Sequence, residues 1–175
     1  EEYSAFHPSV VNRLDRNTSG IIVFAKNLKS AQELSKEIKE RTATKLYMAV
    51  VKGRVSEKIT VEGYLYKDEA SNRVAVEDIP FKDAKLIKTA YEPVFYNESN
   101  DVTVIRIHLI TGRTHQIRAH LAHLNHPLVG DNKYGDVSLN RKLNAKYQLL
   151  HAYHIDFSNG ESFEAELPEE INVYL

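Results

Sequence analysis

Two stretches of β-forming residues on either side of a turn constrain the fold of this chain more than any other feature. Thr89 to Tyr96 and Val102 to Leu109 are separated by Asn97-Glu98-Ser99-Asn100-Asp101. Short polar side chains of this kind bond to their own backbone, and between two apolar runs they mark a reversal of direction. In the second stretch Ile105, Ile107 and Leu109 alternate with Val104, Arg106 and His108. Successive side chains on a strand point to opposite faces, so one face is directed to a core and the other to solvent or a cleft.

Further strands are expected on the same grounds. Leu46 to Val51 is an apolar run stopped by Gly53, residues 59 to 66 and 73 to 76 form a hairpin across polar residues 67 to 72, and two last strands lie near 148 to 157 and 162 to 167. The short run 21 to 25 reads as an interior strand, and the polar segment 78 to 84, with Pro80, as a loop. Helical spacing occurs twice. Leu28, Ala31, Leu34 and Ile38 share one face of a helix over 28 to 41, with Asn27 as its cap, and Ile117, Leu121 and Leu124 predict a second helix starting near Thr114. Strands outnumber helices and most neighbours are joined by hairpins. The expected class is α+β, with a large mixed, mainly antiparallel sheet flanked by helices.

Composition limits what such a fold can do. With 175 residues, 42% of them hydrophobic, the chain is sized for one domain with a real core, here taken as 1–175. The absence of cysteine removes disulfides, thiolate metal sites and a thiol nucleophile. No apolar stretch approaches the ~20 residues that cross a bilayer, and no secretory signal is visible, so a soluble, cytoplasmic protein without membrane contact is expected, with monomer as the default. The chain begins at Glu1 rather than Met, only a dozen residues before its most unusual segment, which suggests that an amino-terminal portion of the native protein is missing. Net charge is −1, so a polyanion site must be local. Residues 12 to 54 carry ten Lys and Arg against four acids, whereas residues 155 to 175 carry six acids and no Lys or Arg. That split permits a basic face with an acidic back.

The unusual segment is Asn12-Arg13-Leu14-Asp15-Arg16-Asn17-Thr18-Ser19-Gly20, which leads into the apolar run at 21 to 25. It sets one carboxylate between two guanidiniums. Cationic neighbours favour the anion, which suits a carboxylate acting as nucleophile or as stabiliser of positive charge. A turn-capping Asp paired with a surface Arg is the plain alternative. A second candidate is the strand-to-helix junction at Gly112-Arg113-Thr114, where free backbone N–H groups can hold a phosphate or carboxylate.

Three stretches together resemble the RluA-type RNA pseudouridine synthases. Arg13-Leu14-Asp15-Arg16-Asn17-Thr18-Ser19-Gly20 is similar to that family's catalytic segment His-Arg-Leu-Asp-x-x-Thr-Ser-Gly, with Asn12 in place of its His. Lys45 to Gly53 resembles the second signature, a strand carrying a tyrosine, and Thr111-Gly112-Arg113-Thr114-His115-Gln116-Ile117-Arg118-Ala119-His120-Leu121 the third. His126-Pro127, the loop Gly130 to Gly135 and Leu150-His151-Ala152 extend the match, which runs in order from about His7 to Phe157.

The resemblance implies a pseudouridine synthase fold and isomerisation of uridine in RNA: the N1–C1′ bond breaks, the uracil turns and C5 joins C1′, with no cofactor and no metal. Asp15 takes the place of the catalytic carboxylate, attacking C1′ or assisting proton removal at C2′. Tyr47 lies against the base, with a hydroxyl available for proton transfer. Arg113 pairs with Asp15 and orients it. A uridine in folded RNA reaches such a carboxylate only by leaving its stack, and Arg13 is the residue implied to enter the vacancy. Ile117 lines the uracil pocket, and Lys45, His115 and Arg118 are further RNA contacts. Ribosomal RNA is the first expected partner and transfer RNA the second.

Two other readings compete. An RNA-binding module without catalysis would fit a chain lacking the Lys-Pro-Ala-Gly-like segment and the S4-type domain that often precede the Asp motif in this family. A metal-dependent hydrolase is suggested by His108, His115, His120, His123 and His126, but no acid lies between Asp101 and Asp131, and His120 and His123 lack the i, i+4 spacing of a helical zinc pair.

Overall fold

The computed structural model describes residues 6–68, 73–81 and 83–175. Its centre is the expected hairpin, strands β7 (Lys85–Asn97) and β8 (Val102–Leu109), with Asn97 opposite Val102 and Asp101 in the left-handed conformation (φ 52°) that closes the turn. Pro93 has no N–H to donate, and the register shifts between Pro93 and Phe95. Strand β4 (Thr44–Lys52) pairs with the other side of β8, and β9 (Leu150–Asp156) with β4. Strand β10 (Ser162–Glu164) ends the sheet on that side, and β5 (Ile59–Asp68) with β6 (Arg73–Glu77) ends it on the other. The order is β10-β9-β4-β8-β7-β5-β6, each neighbour antiparallel, and β2 (Ser19–Gly20) lies parallel to β9. The sheet is therefore mixed and mainly antiparallel. The predicted turn between β5 and β6 falls largely on 69–72, outside the described residues.

Burial on both faces explains why β4 reads as an unbroken apolar run. Tyr47, Ala49 and Val51 pack with Ile105, Ile107, Leu150 and two residues of helix α2 (Gln116–His123), Ile117 and Leu121. Met48 and Val50 point the other way, to Val102, Val104, Val129 and two residues of the chain's last turns, Ile171 and Tyr174. A cleft opens on the α2 side of the sheet.

Helix α1 (Leu28–Glu40) forms where its periodicity predicts, with Asn27 accepting from the Ser30 amide and Ser30 accepting in return. Leu34 and Ile38 pack on Ala43, Ile155 and Phe157. Two expectations need correction. Residues 21 to 25 are not an interior strand: Ile21 and Val23 face that same cluster, whereas Phe24, in the two-residue strand β3 (Phe24–Ala25) paired with β1 (Ser9–Val10), is 59% exposed. The apolar run alternates along the rim of the core instead of crossing it. Helix α2 starts at Gln116, not at Thr114. Its cap is His115 at φ 54°, which supplies no side-chain cap bond. The buried Gln116 side chain takes that role, its Oε1 accepting from Thr111 Oγ1 at 2.8 Å and the Arg113 amide at 3.1 Å. Helices α3 (Val137–Lys142) and α4 (Glu169–Asn172) are too short for periodicity to reveal.

Candidate active site

The Asp15 loop is held on the sheet through its backbone. Ser19 and Gly20 run beside His151 and Ala152, the Ile21 amide donates to the Ala152 carbonyl at 2.9 Å, and the Gln148 side-chain amide donates to the Arg16 carbonyl at 2.6 Å. Gly20 has φ +114°, and a Cβ there would run into the Ala152 carbonyl oxygen, so the close approach requires glycine. Ser19 Oγ and His151 Nδ1 are 2.8 Å apart. Within the loop the Thr18 amide bonds back to the Asp15 carbonyl at 3.0 Å, Asn17 takes φ 69°, and Leu14 turns into the core. Asn12 closes the far side, donating to the Ile21 carbonyl at 3.1 Å and accepting from the Val23 amide at 2.8 Å. An asparagine carries both a donor and an acceptor for this clasp.

The partner of Asp15 is Arg118. Arg118 is 7% exposed, and its Nη1 lies 3.2 Å from Asp15 Oδ2. The rest of the guanidinium is gripped by Asp131, itself 1% exposed, through Nε to Oδ2 at 2.7 Å and Nη2 to Oδ1 at 3.0 Å. Asp131 Oδ1 also accepts from the Lys133 and Tyr134 amides, and the Tyr134 ring lies 5.2 Å from the guanidinium carbon. Burial disfavours both charges, but these bonds outweigh it: Arg118 is held above its ordinary pKa and Asp131 below its own. The result is a rigid line, Asp131 to Arg118 to Asp15, with the outer carboxylate facing the cleft. This corrects the pairing implied for Arg113. Among the described residues Arg113 makes no ion pair, and it lies at the cleft wall.

The cleft holds about 280 Å³ and gathers Asp15, Arg13, Lys45, Tyr47, Arg113, His115 and Ile117 from elements spread over a hundred residues of sequence. Arg118 lies behind it. Burial, with the charge of Asp15 beside it, pushes the Tyr47 phenol up to about 12, so the hydroxyl stays protonated at neutral pH. Burial and the neighbouring Arg41 push the Lys45 ammonium down. Arg13 is exposed on the loop. His115 Nδ1 and the Tyr134 hydroxyl are 2.9 Å apart. That hydroxyl also accepts from the Val74 amide at 3.1 Å. Burial first, then Arg118 and Lys133, lower the His115 pKa, against the pull of Asp15.

The other histidines are dispersed. His120 Nδ1 bonds with Thr89 Oγ1 at 3.0 Å, His123 with Asp78 at 2.8 Å, and His126 donates to the Lys52 carbonyl at 2.9 Å. Among the described residues no three His, Asp or Glu are grouped as metal ligands. Sequence reasoning missed Asp131, Gln148, Tyr134 and the clasp of Asn12. Asp131 carries one signal: it is the first acid after Asp101, in the Gly130 to Gly135 loop that extends the family match.

Known proteins bear on this geometry. The model of the family described as RNA pseudouridylate synthase matches residues 1–123. An uncharacterised RNA pseudouridine synthase of Mycoplasma genitalium is 41% identical over 158 residues, covering 90% of this chain and 49% of the relative. Ribosomal large subunit pseudouridine synthase C of Haemophilus influenzae is 33% identical over 177 residues, covering 95% and 53%. The structure of human RNA pseudouridylate synthase domain containing 1 superposes with a TM-score of 0.78 at 27% identity, over 93% of this chain and 69% of that one. The chain thus spans about half the length of the curated relatives it matches. With the family model covering well over half its residues, and its motifs brought together around Asp15, the chain belongs to the RNA pseudouridylate synthase family.

Proposed function

We propose that this chain carries the catalytic site of an RNA pseudouridine synthase, with Asp15 as the catalytic carboxylate and ribosomal RNA as the first candidate substrate, ahead of transfer RNA. One observation carries the reading: a cleft-facing carboxylate fixed by a buried arginine that a second, fully buried carboxylate holds in place. Such an investment in orienting one anion suits chemistry at a sugar carbon better than a surface ion pair does. Names of relatives supply the RNA class. The Haemophilus influenzae protein and one from Borreliella burgdorferi are both called ribosomal large subunit pseudouridine synthases.

In the reaction the N1–C1′ bond breaks and a C5–C1′ bond forms, while the proton on C5 leaves and N1 gains one, so no co-reactant is consumed. Asp15 meets the sugar as the bond to N1 weakens. Tyr47, protonated beside it, lies against the base and donates a hydrogen bond instead of taking the C5 proton. Ile117 forms the apolar floor of the pocket. Arg13, exposed on the same loop, stacks in the space the uridine leaves. Lys45, Arg113 and His115 meet the RNA around the pocket.

The test is an isomerisation assay on total RNA from a strain lacking the gene, with the full-length protein and its Asp15→Asn variant in parallel and every new pseudouridine mapped. Modification of a discrete site by the first and none by the second is expected. Retained isomerisation by a folded Asp15→Asn protein would overturn the assignment, and binding without any isomerisation by the unaltered protein would favour a non-catalytic RNA-binding module.

A further inference from the structure

A second groove, of about 850 Å³, opens beside the Asp15 cleft and shares Arg113, Thr114 and His115 with it. Its remaining wall comes from the β5–β6 hairpin, the segment leading into β7 and Lys133 of the loop after α2. Five cations, Lys67, Arg73, Lys85, Arg113 and Lys133, line it against two carboxylates, Asp68 and Asp83. Of these, Arg73, Lys85 and Arg113 make no ion pair among the described residues. In a chain of net charge −1 this is a local concentration of positive charge. The groove also contains an aromatic surface. Phe81 packs on Tyr66 with ring centroids 5.5 Å apart and the planes inclined at 57°, and Phe81 remains 44% exposed.

An exposed ring beside Arg73, Lys85 and Arg113, continuous with a site for a nucleotide, has the two components a single strand needs: a face for a base and charges for phosphates. A protein partner would be expected to find a neutral or mixed rim there; the excess of cations matches a polyanion. We propose that this groove holds the RNA adjoining the target uridine, with one flanking base stacked on Phe81 and backbone phosphates on Lys85, Arg73 and Arg113. The inference rests on the reading of the Asp15 cleft as the uridine site. It assigns recognition of the neighbouring nucleotides to the β5–β6 end of the sheet, with Arg113 as the joint between the two sites.

The test compares binding of two probes by the full-length protein, fluorescein-labelled hexauridylate and uridine 5′-monophosphate. Base stacking on an aromatic is worth roughly 5- to 100-fold in affinity. Phe81→Ala is expected to weaken hexauridylate at least about 5-fold and to leave the mononucleotide unchanged, since only the longer probe reaches the groove. Phe81→Leu preserves apolar packing on Tyr66 but not the flat face, and is expected to weaken hexauridylate as Phe81→Ala does, whereas Phe81→Trp retains full affinity. Lys85→Gln is expected to lower the slope of log affinity against log salt by about 0.7. If Phe81→Leu binds like the unaltered protein, the ring is a structural prop and the inference falls. Isomerisation of total RNA separates this failure from that of the catalytic reading. A protein that forms pseudouridine and is indifferent to Phe81→Leu and Lys85→Gln loses only the groove. A protein that forms none, yet loses hexauridylate in these variants, keeps the groove and loses the chemistry.

Discussion

Arg118 has a demand on it that no other cation could meet. It spends Nε and Nη2 on Asp131 and turns Nη1 to Asp15, three bonds in the fixed geometry of one planar group. A lysine offers a point charge on a flexible stem and cannot hold two carboxylates in register. Arg118→Lys is therefore expected to lower kcat by about 100-fold or more while changing the RNA dissociation constant by only a few-fold, measured in single-turnover and filter-binding assays. Arg113→Ala should show the opposite pattern, weaker binding with most of kcat kept, because its charge lies on the cleft wall and not on Asp15. Equal loss of kcat in both variants would return the orienting role to Arg113. Asp131→Asn removes the buried counter-charge of Arg118, leaving it only the partly exposed Asp15, and is expected to cost about 3–5 kcal/mol in urea denaturation. Tyr47→Phe tests the hydroxyl: with its pKa near 12, the pH–rate profile of the unaltered protein should show no limb from this group between about pH 6 and 10.

At the scale of elements, two attachments hold the site together, and each has a measurable weak point. Strand β2 fixes the Asp15 loop to β9 through Gly20, so Gly20→Ala, strained at φ +114° and meeting the Ala152 backbone, is expected to destabilise the fold by about 2–4 kcal/mol and to abolish activity even where folding is retained. Helix α2 is fixed to β7 by Gln116, whose amide donates to Thr89 Oγ1 at 3.0 Å, and by His120 on the same hydroxyl. Burial, with His123 adding to it, pushes the His120 imidazole down from 6.5 to about 4, while the Glu62 carbonyl and Asp78 oppose the shift. The unfolded chain then binds the extra proton. Stability is full above about pH 6.5 and is lost as the pH falls toward 4, by roughly 2–3 kcal/mol for this group alone. Urea midpoints at pH 7.5 and 5 check this, with His120→Gln expected to flatten the dependence. These attachments also mark the limit of what the sequence could reveal. Periodicity and turn residues suffice for α1, β4 and the β7–β8 hairpin, because each signals itself within a dozen residues. The family resemblance suffices to bring Asp15, Tyr47 and Ile117 to one cleft. The partner of Asp15 does not follow from spacing, because Arg113 and Arg118 lie five apart on a segment whose first half is loop and second half helix, and only the start of α2 at Gln116 decides which guanidinium turns inward. Ile21 to Ala25 misleads for a related reason: an apolar run does not say how many of its members face the core.

Across the whole molecule the sheet sets the second groove far from its β10 edge. Its order places β10 at one edge and β6 at the other, six strand spacings of about 4.8 Å, or roughly 29 Å, apart. Asp156, Glu161 and Glu164 belong to the β9–β10 end, where α1 packs with lysines of its own, whereas Lys67, Arg73 and Lys85 of the second groove belong to the β5–β6 end. With a net charge of −1, attraction of a polyanion falls to the local cations that line the grooves. Contact itself is a shorter-range matter, since charges farther apart than about 8 Å are screened at physiological salt. Affinity for RNA should accordingly depend on the few phosphates that the grooves hold. With three or four of them at about 0.7 each, the slope of log affinity against log salt is expected to lie near −2 to −3. Neutralising the far edge with Glu161→Gln and Glu164→Gln should leave that slope unchanged and raise only the association rate at low salt. Stopped-flow and equilibrium titrations from 50 to 300 mM salt, on the order of the range over which such contacts weaken, distinguish the two effects. A steeper slope in the far-edge variant would mean that RNA reaches across the sheet, and that the acidic end is part of the bound surface and not its boundary.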